Sequence, residues 1–134
     1  EIMDDIARVH IYNVVTPTGI AQAGAAAALT ATDDGVEAAV AAWQHRRDVL
    51  TEQLAGWPTI PAAGGWSQLL DVGALGYTAE EASRRLLAHG RVAATPMTAW
   101  GEVYGDRFVR LVFSNEPPDR LATLRARVEQ SLRA

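Results

Sequence analysis

The sequence predicts an α+β or α/β two-layer sandwich: a small three-stranded sheet, mostly antiparallel or mixed, covered by helices and preceded by helices of another kind. Three observations carry this. Helical periodicity fills the chain to about residue 55. Three short β-type runs follow, "GGWSQLLDV" (64–72), "RVAATPM" (91–97) and a run over 107–113, with one clear helix between the first two. A final helical pattern closes the chain, and 134 residues suit one domain with a real core.

Each element has its own signal. In "EIMDDIARVHI" (1–11), Ile2, Ile6 and Val9 share a helical face and Asp4 and Asp5 sit near the start. Pro17 pushes Thr16 out of the α region and breaks that helix. "GIAQAGAAAALTA" (19–31) reads as a helix of small residues, expected to be packed on several sides. Residues 1–30 therefore look like material that docks on something outside the domain formed by 31–134.

The longest helix is expected from Asp33 to Ala55, capped by Thr32, with Val36, Val40, Trp43, Leu50 and Leu54 recurring on one face. Gly56 and Pro58 end it, and His45, Arg46 and Arg47 fall mostly on its polar side. The first strand is entered through two glycines. "YTAEEASRRLLAHG" is a helix with a capping box between Thr78 and Glu81, terminated at Gly90. Pro96 breaks the second strand. Pro117, Pro118 and Asp119 open the last helix, with Leu121, Leu124, Val128 and Leu132 facing inward. There is no internal repeat and no low-complexity linker.

Composition excludes several functions. There is no cysteine, hence no disulfide and no thiolate metal site. The three histidines share no metal-binding spacing. A net charge of −4 with scattered basic residues argues against a nucleic-acid partner. No apolar run reaches the roughly 18–20 residues that span a bilayer, and no signal peptide is present, so a cytoplasmic protein without a membrane partner is expected. The chain begins with Glu1 rather than methionine, which suggests a lost natural start. All 12 basic residues are arginine, and without lysine no Schiff base can form on this polypeptide alone.

The residue that raises a chemical question is Arg110, embedded in "FVRLVF". A strand there puts Phe108, Arg110 and Val112 on one face and Val109, Leu111 and Phe113 on the other, both apolar and both expected to be covered. A guanidinium cannot shed its charge, so its burial calls for a partner. A functional account makes it a fork gripping a carboxylate or phosphate. A structural account pairs it with Asp71 or Glu116, or lets it snorkel to the sheet edge. In "GGW", the glycines permit close backbone approach and Trp66 could wall a pocket, although glycines before a strand commonly serve a turn. "TPMTAWG" (95–101) reads as a loop. No phosphate-cradling loop, serine elbow, catalytic residue or metal site is found.

The series "GGWSQLLDV", "GRVAATPMTAWG" and "RFVRLVFSNEPPDRL", in that order, resembles the C-terminal small domain of class I/II, fold-type-I aminotransferases. The opening "EIMDDIARVHIYNVVTPTGIAQAGAAAAL" is similar to the family segment that follows the large domain and runs along the dimer interface, so the likeness covers essentially the whole chain. It implies that Arg110 binds the substrate α-carboxylate and that Trp66 lines the cofactor and substrate cleft. It also implies an amino acid and a 2-oxo acid as substrates, pyridoxal 5'-phosphate as cofactor of the intact enzyme, and homodimerisation. Residues 12–16 resemble the stretch that approaches the partner subunit's active site. Met97 stands where many members have glycine. The Schiff-base lysine, the aspartate that pairs with the pyridine nitrogen and most phosphate ligands would belong to the enzyme's own large domain, making this chain a fragment inactive by itself. Two alternatives stay open: a pyridoxal-phosphate-dependent β-lyase with the same domain, and a non-enzymatic α/β module that binds a small anion or a partner protein.

Overall fold

The computed structural model describes residues 2–14 and 16–132. The chain divides into two units, Glu1–Glu37 and Ala38–Ala134. The first contains α1 (Ile2–Val14) and α2 (Gly19–Thr30). Thr18 caps α2, its hydroxyl accepting from the Ala21 amide. Ile2, Ile6 and Val9 of α1 are exposed, and neither helix has a buried residue. The expectation that α2 is packed on several sides is therefore corrected: an alanine-rich surface buries only where a neighbour covers it, and none of its residues is covered here.

Helix α3 (Val36–Gln53) leads into the second unit. Its start is held by Asp33 and Asp34, whose carboxylates accept from the Gly35 and Val36 amides, rather than by Thr32. Leu50 and Leu54 are buried, but Val36, Val40 and Trp43 on the same predicted face are exposed. Gly56 takes a left-handed φ of 83° and turns the chain, as its place after the helix predicts.

The sheet has four antiparallel-paired strands in the order β1 (Thr59–Ile60), β2 (Ser67–Asp71), β4 (Phe108–Val112), β3 (Thr95–Pro96). β1, a two-residue strand pairing with Leu69 and Leu70, is one more than the sequence predicted. Runs that short carry no periodicity of their own. β2 and β3 both run antiparallel to β4, with α4 (Ala79–Gly90) between them in the chain. The last strand thus inserts between two parallel ones and is hydrogen-bonded on both sides.

Alternation then sorts the side chains. Leu70, Val109 and Leu111 join Leu50, Leu54, Leu86, Phe113, Leu121, Leu124, Val128 and Leu132 in one core, so α3, α4, α5 (Pro118–Leu121) and α6 (Leu124–Leu132) cover that face of the sheet. Leu69, Phe108 and Arg110 point the other way and are half-buried, and Val112 is exposed. β4 is thus covered by this chain on one side, not both.

Helix α4 is capped as predicted, the Thr78 hydroxyl accepting from the Glu81 amide. Its end differs. The left-handed residue is Arg91, at φ 52°, whereas Gly90 is buried where a Cβ would stand 2.7 Å from the Arg127 carbonyl oxygen. Gly90 is there so that α4 and α6 can touch. Arginine suits the carbonyls left open at such ends. Arg127 donates to the Gly90 and Arg91 carbonyls, Arg125 to that of Ala55, Arg85 to that of Ser131 and Arg46 to that of Ser114.

Candidate functional site

Arg110 sits on β4, one of the two inner strands, and its register partners are Leu69 on β2 and Thr95 on β3. Leu69 in turn faces Ile60 on β1, so one row, Ile60–Leu69–Arg110–Thr95, crosses the sheet on the face without helices. Neither neighbour of the arginine carries a charge. The two acids a structural account would use are engaged elsewhere: Asp71 pairs with Arg107, Nη2 to Oδ2 2.6 Å, and Glu116 pairs with Arg120 at 3.3 Å. Burial works to raise the Asp71 pKa, but the hydrogen bonds from Arg107 and the Ala74 and Gly73 amides, with the Arg107 charge, hold it below its ordinary value. Arg107 is shifted up by the same contact.

Arg110 consequently makes no hydrogen bond or ion pair among the described residues, and its Nε is buried without a partner. Arg91 is likewise unpartnered but exposed to water. What Arg110 does meet is the ring of Trp100, whose centroid lies 4.8 Å from the guanidinium carbon. Trp100 belongs to the loop from Met97 to Arg107, a 3-10 turn at Thr98–Trp100 and another at Gly105–Arg107. Beside the arginine this loop and the open sheet face enclose a shallow depression of about 460 Å³, lined by Leu69, Met97, Trp100, Val103, Tyr104 and Phe108 among others.

Trp66 is half-exposed, directly before β2, and its carbonyl accepts from the Phe113 amide. That is three rungs along the ladder from the Leu69–Arg110 pair, roughly 10 Å away. Trp100 is the aromatic against Arg110, and sequence reading missed it. The signal was available: Thr95 starts the loop next to the arginine, and an aromatic five residues on can fold back over it. Gly65 has φ 74°, and no atom lies within 4 Å of the place a Cβ would take, so the "GGW" glycines serve a turn. Met97 has φ −93° and ψ 9°, a backbone open to any residue, which accounts for methionine at a position where glycine would also fit. Of residues 12–16, Val15 lies outside the described residues. No group of three or more His, Asp or Glu able to hold a metal occurs among the described residues, and no helix there is long and apolar enough to cross a membrane.

Fold and site together define an α+β domain that offers, on an inner strand of its uncovered sheet face, an arginine without an acid partner. Residues 2–128 match the family model of aminotransferase class I and II, and the chain belongs to that family. Among solved structures it is similar to the aromatic aminotransferase of Pyrococcus horikoshii OT3, with 26% identity and a TM-score of 0.86, covering 98% of this chain and 36% of that one. It is also similar to a tetra mutant of the Thermus thermophilus aspartate aminotransferase, with 29% identity and a TM-score of 0.76, covering 95% and 34%. An aminotransferase from Mycobacterium tuberculosis shares the fold at 22% identity and a TM-score of 0.81, covering 93% and 33%. The chain spans about a third of the length of these structures. No curated protein gives a significant sequence match.

Proposed function

We propose that this chain is the small domain of a pyridoxal-phosphate-dependent aminotransferase acting on an amino acid and a 2-oxo acid, and that Arg110 grips the substrate carboxylate. The observation that carries this is the state of Arg110: a half-buried guanidinium, its Nε orphaned, with both candidate acids already paired to other arginines. An unsatisfied buried donor costs about 1–3 kcal/mol, a cost that an arriving carboxylate relieves. Two parallel N–H···O bonds fix the carboxylate plane as well as its position. Because β4 is bonded on both sides, the backbone that carries the anchor is fixed, and a two-point grip by the guanidinium would present the substrate's α-carbon in one orientation. Trp66, just before β2 and roughly 10 Å along the ladder from Arg110, would reach the cleft only at its outer end, where the rest of the enzyme closes over it.

Pyridoxal phosphate supplies the electron sink in this family's chemistry, and it is held through a lysine. This chain has no lysine and does not fit that role, so no step through the cofactor is assigned to its residues. Its own large domain would supply the lysine, and α1 and α2, with no buried residue, would dock on that domain and on a partner subunit in a homodimer. The chain alone would be inactive. The test is Arg110→Lys in the whole enzyme that carries this domain. Lysine keeps the charge but loses the fork, so KM for the amino acid should rise roughly 10- to 100-fold. Unchanged kinetics would overturn the assignment.

A further inference from the structure

We infer that Trp100 is a positioning residue for the substrate carboxylate, acting through Arg110; this rests on the carboxylate-binding role proposed for that arginine. β4 fixes only the Cα of Arg110, and the side chain beyond it has several rotatable bonds. Leu69 and Thr95, its register partners, offer no charge to hold the head, and Asp71 and Glu116 are paired elsewhere. The contact that remains is the Trp100 ring at 4.8 Å.

The choice of an aromatic face has a chemical consequence. A carboxylate would hold the guanidinium by consuming the in-plane N–H donors and cancelling the charge. A ring face holds the cation from above or below its plane and leaves those donors free. Trp100 therefore orients the fork without competing for the ligand that the fork binds. Packing does not explain the residue, since 64% of it is exposed. Its placement is nevertheless built in. The Met97 amide donates to the Phe108 carbonyl at 3.0 Å, tying the loop to β4 two residues from Arg110. The Trp100 amide donates to the Met97 carbonyl, and the Gly105 amide to that of Gly101. At Gly105 a Cβ would stand 2.6 Å from the Met97 carbonyl oxygen, so only glycine lets the loop close this tightly.

The experiment compares Trp100→Leu and Trp100→Phe with the unaltered protein in the whole enzyme carrying this domain. Two amino donors serve as probes: an amino acid, and the matching amine that lacks the carboxylate. Trp100→Leu should raise KM for the amino acid roughly 3- to 30-fold, leave kcat far less changed, and leave the amine reaction unaffected. Trp100→Phe should recover most of the loss, and the thermal midpoint should barely move, because the ring is at the surface. Loss of activity toward the amine as well, or a phenylalanine variant no better than leucine, would overturn the inference. If Arg110→Lys raises KM and Trp100→Leu does not, the inference falls and the carboxylate-binding role stands. If neither variant changes KM, both fall.

Discussion

The two faces of the sheet come from the same two strands and meet different fates. On one, Leu70, Val109 and Leu111 lie under α3, α4, α5 and α6 at 0–4% exposure. On the other, Leu69, Phe108 and Arg110 are half-open, with Ile60 and Val112 beside them and the Trp100 loop at their edge. The first face makes the domain stable. The second leaves an unpaired cation and apolar surface in the open, which is what a binding face requires and a folding core excludes.

The widest separation between the faces is expected in stability. Leu70→Ala should cost about 2–5 kcal/mol by opening a cavity under the helices. Leu69→Ala, its neighbour on the open face, should cost about 1 kcal/mol or less. Urea unfolding of the two variants measures the gap, and equal losses would dissolve the distinction between the faces.

The arginines sharpen it next. Arg127 donates to the Gly90 and Arg91 carbonyls at the end of α4, so Arg127→Met should destabilise by about 1–3 kcal/mol. Arg110→Met removes a half-buried charge that has no partner and should leave the ligand-free protein as stable or up to about 1 kcal/mol more so. A large loss at Arg110 would mean that it is a structural residue after all.

The smallest effect lies at the rim of the open face. The folded-state pKa of Asp71 is held below its ordinary value of 3.8, so its pairing with Arg107 favours the folded state above that value. The contribution is lost as pH falls through the lower, folded value. The stability gap between the protein and Asp71→Asn, followed by thermal unfolding, should be open at neutral pH and close on acidification through the lowered, folded-state value of the carboxyl. A gap independent of pH would mean that the carboxylate charge is not what holds this edge.

Local chemistry made much of the fold readable. The Thr78 cap, the turn at Gly56, the inward face of Leu121, Leu124, Val128 and Leu132, and the two longer strands all appear where sequence placed them. Arg110 was legible as an anomaly for the same reason: a charge inside an apolar alternation is visible without any structure. These features depend on residues a few positions apart, whose relations the backbone period sets.

Other features depend on what comes near in space. β1 is too short to carry a pattern, and it exists because β2 offers an edge. Gly90 reads as a helix terminator but serves the crossing of α4 and α6, and the left-handed turn falls to Arg91. Periodicity gave Val36, Val40 and Trp43 the same standing as Leu50 and Leu54, yet only the latter pair is buried. It also could not say which face of β4 the helices would take, nor that Asp71 and Glu116 would be claimed by Arg107 and Arg120, leaving Arg110 to Trp100. Hydrophobicity states only that a surface avoids water. Which neighbour removes it from water, and which charge is left over when the others have paired, is settled by the packing of the whole chain.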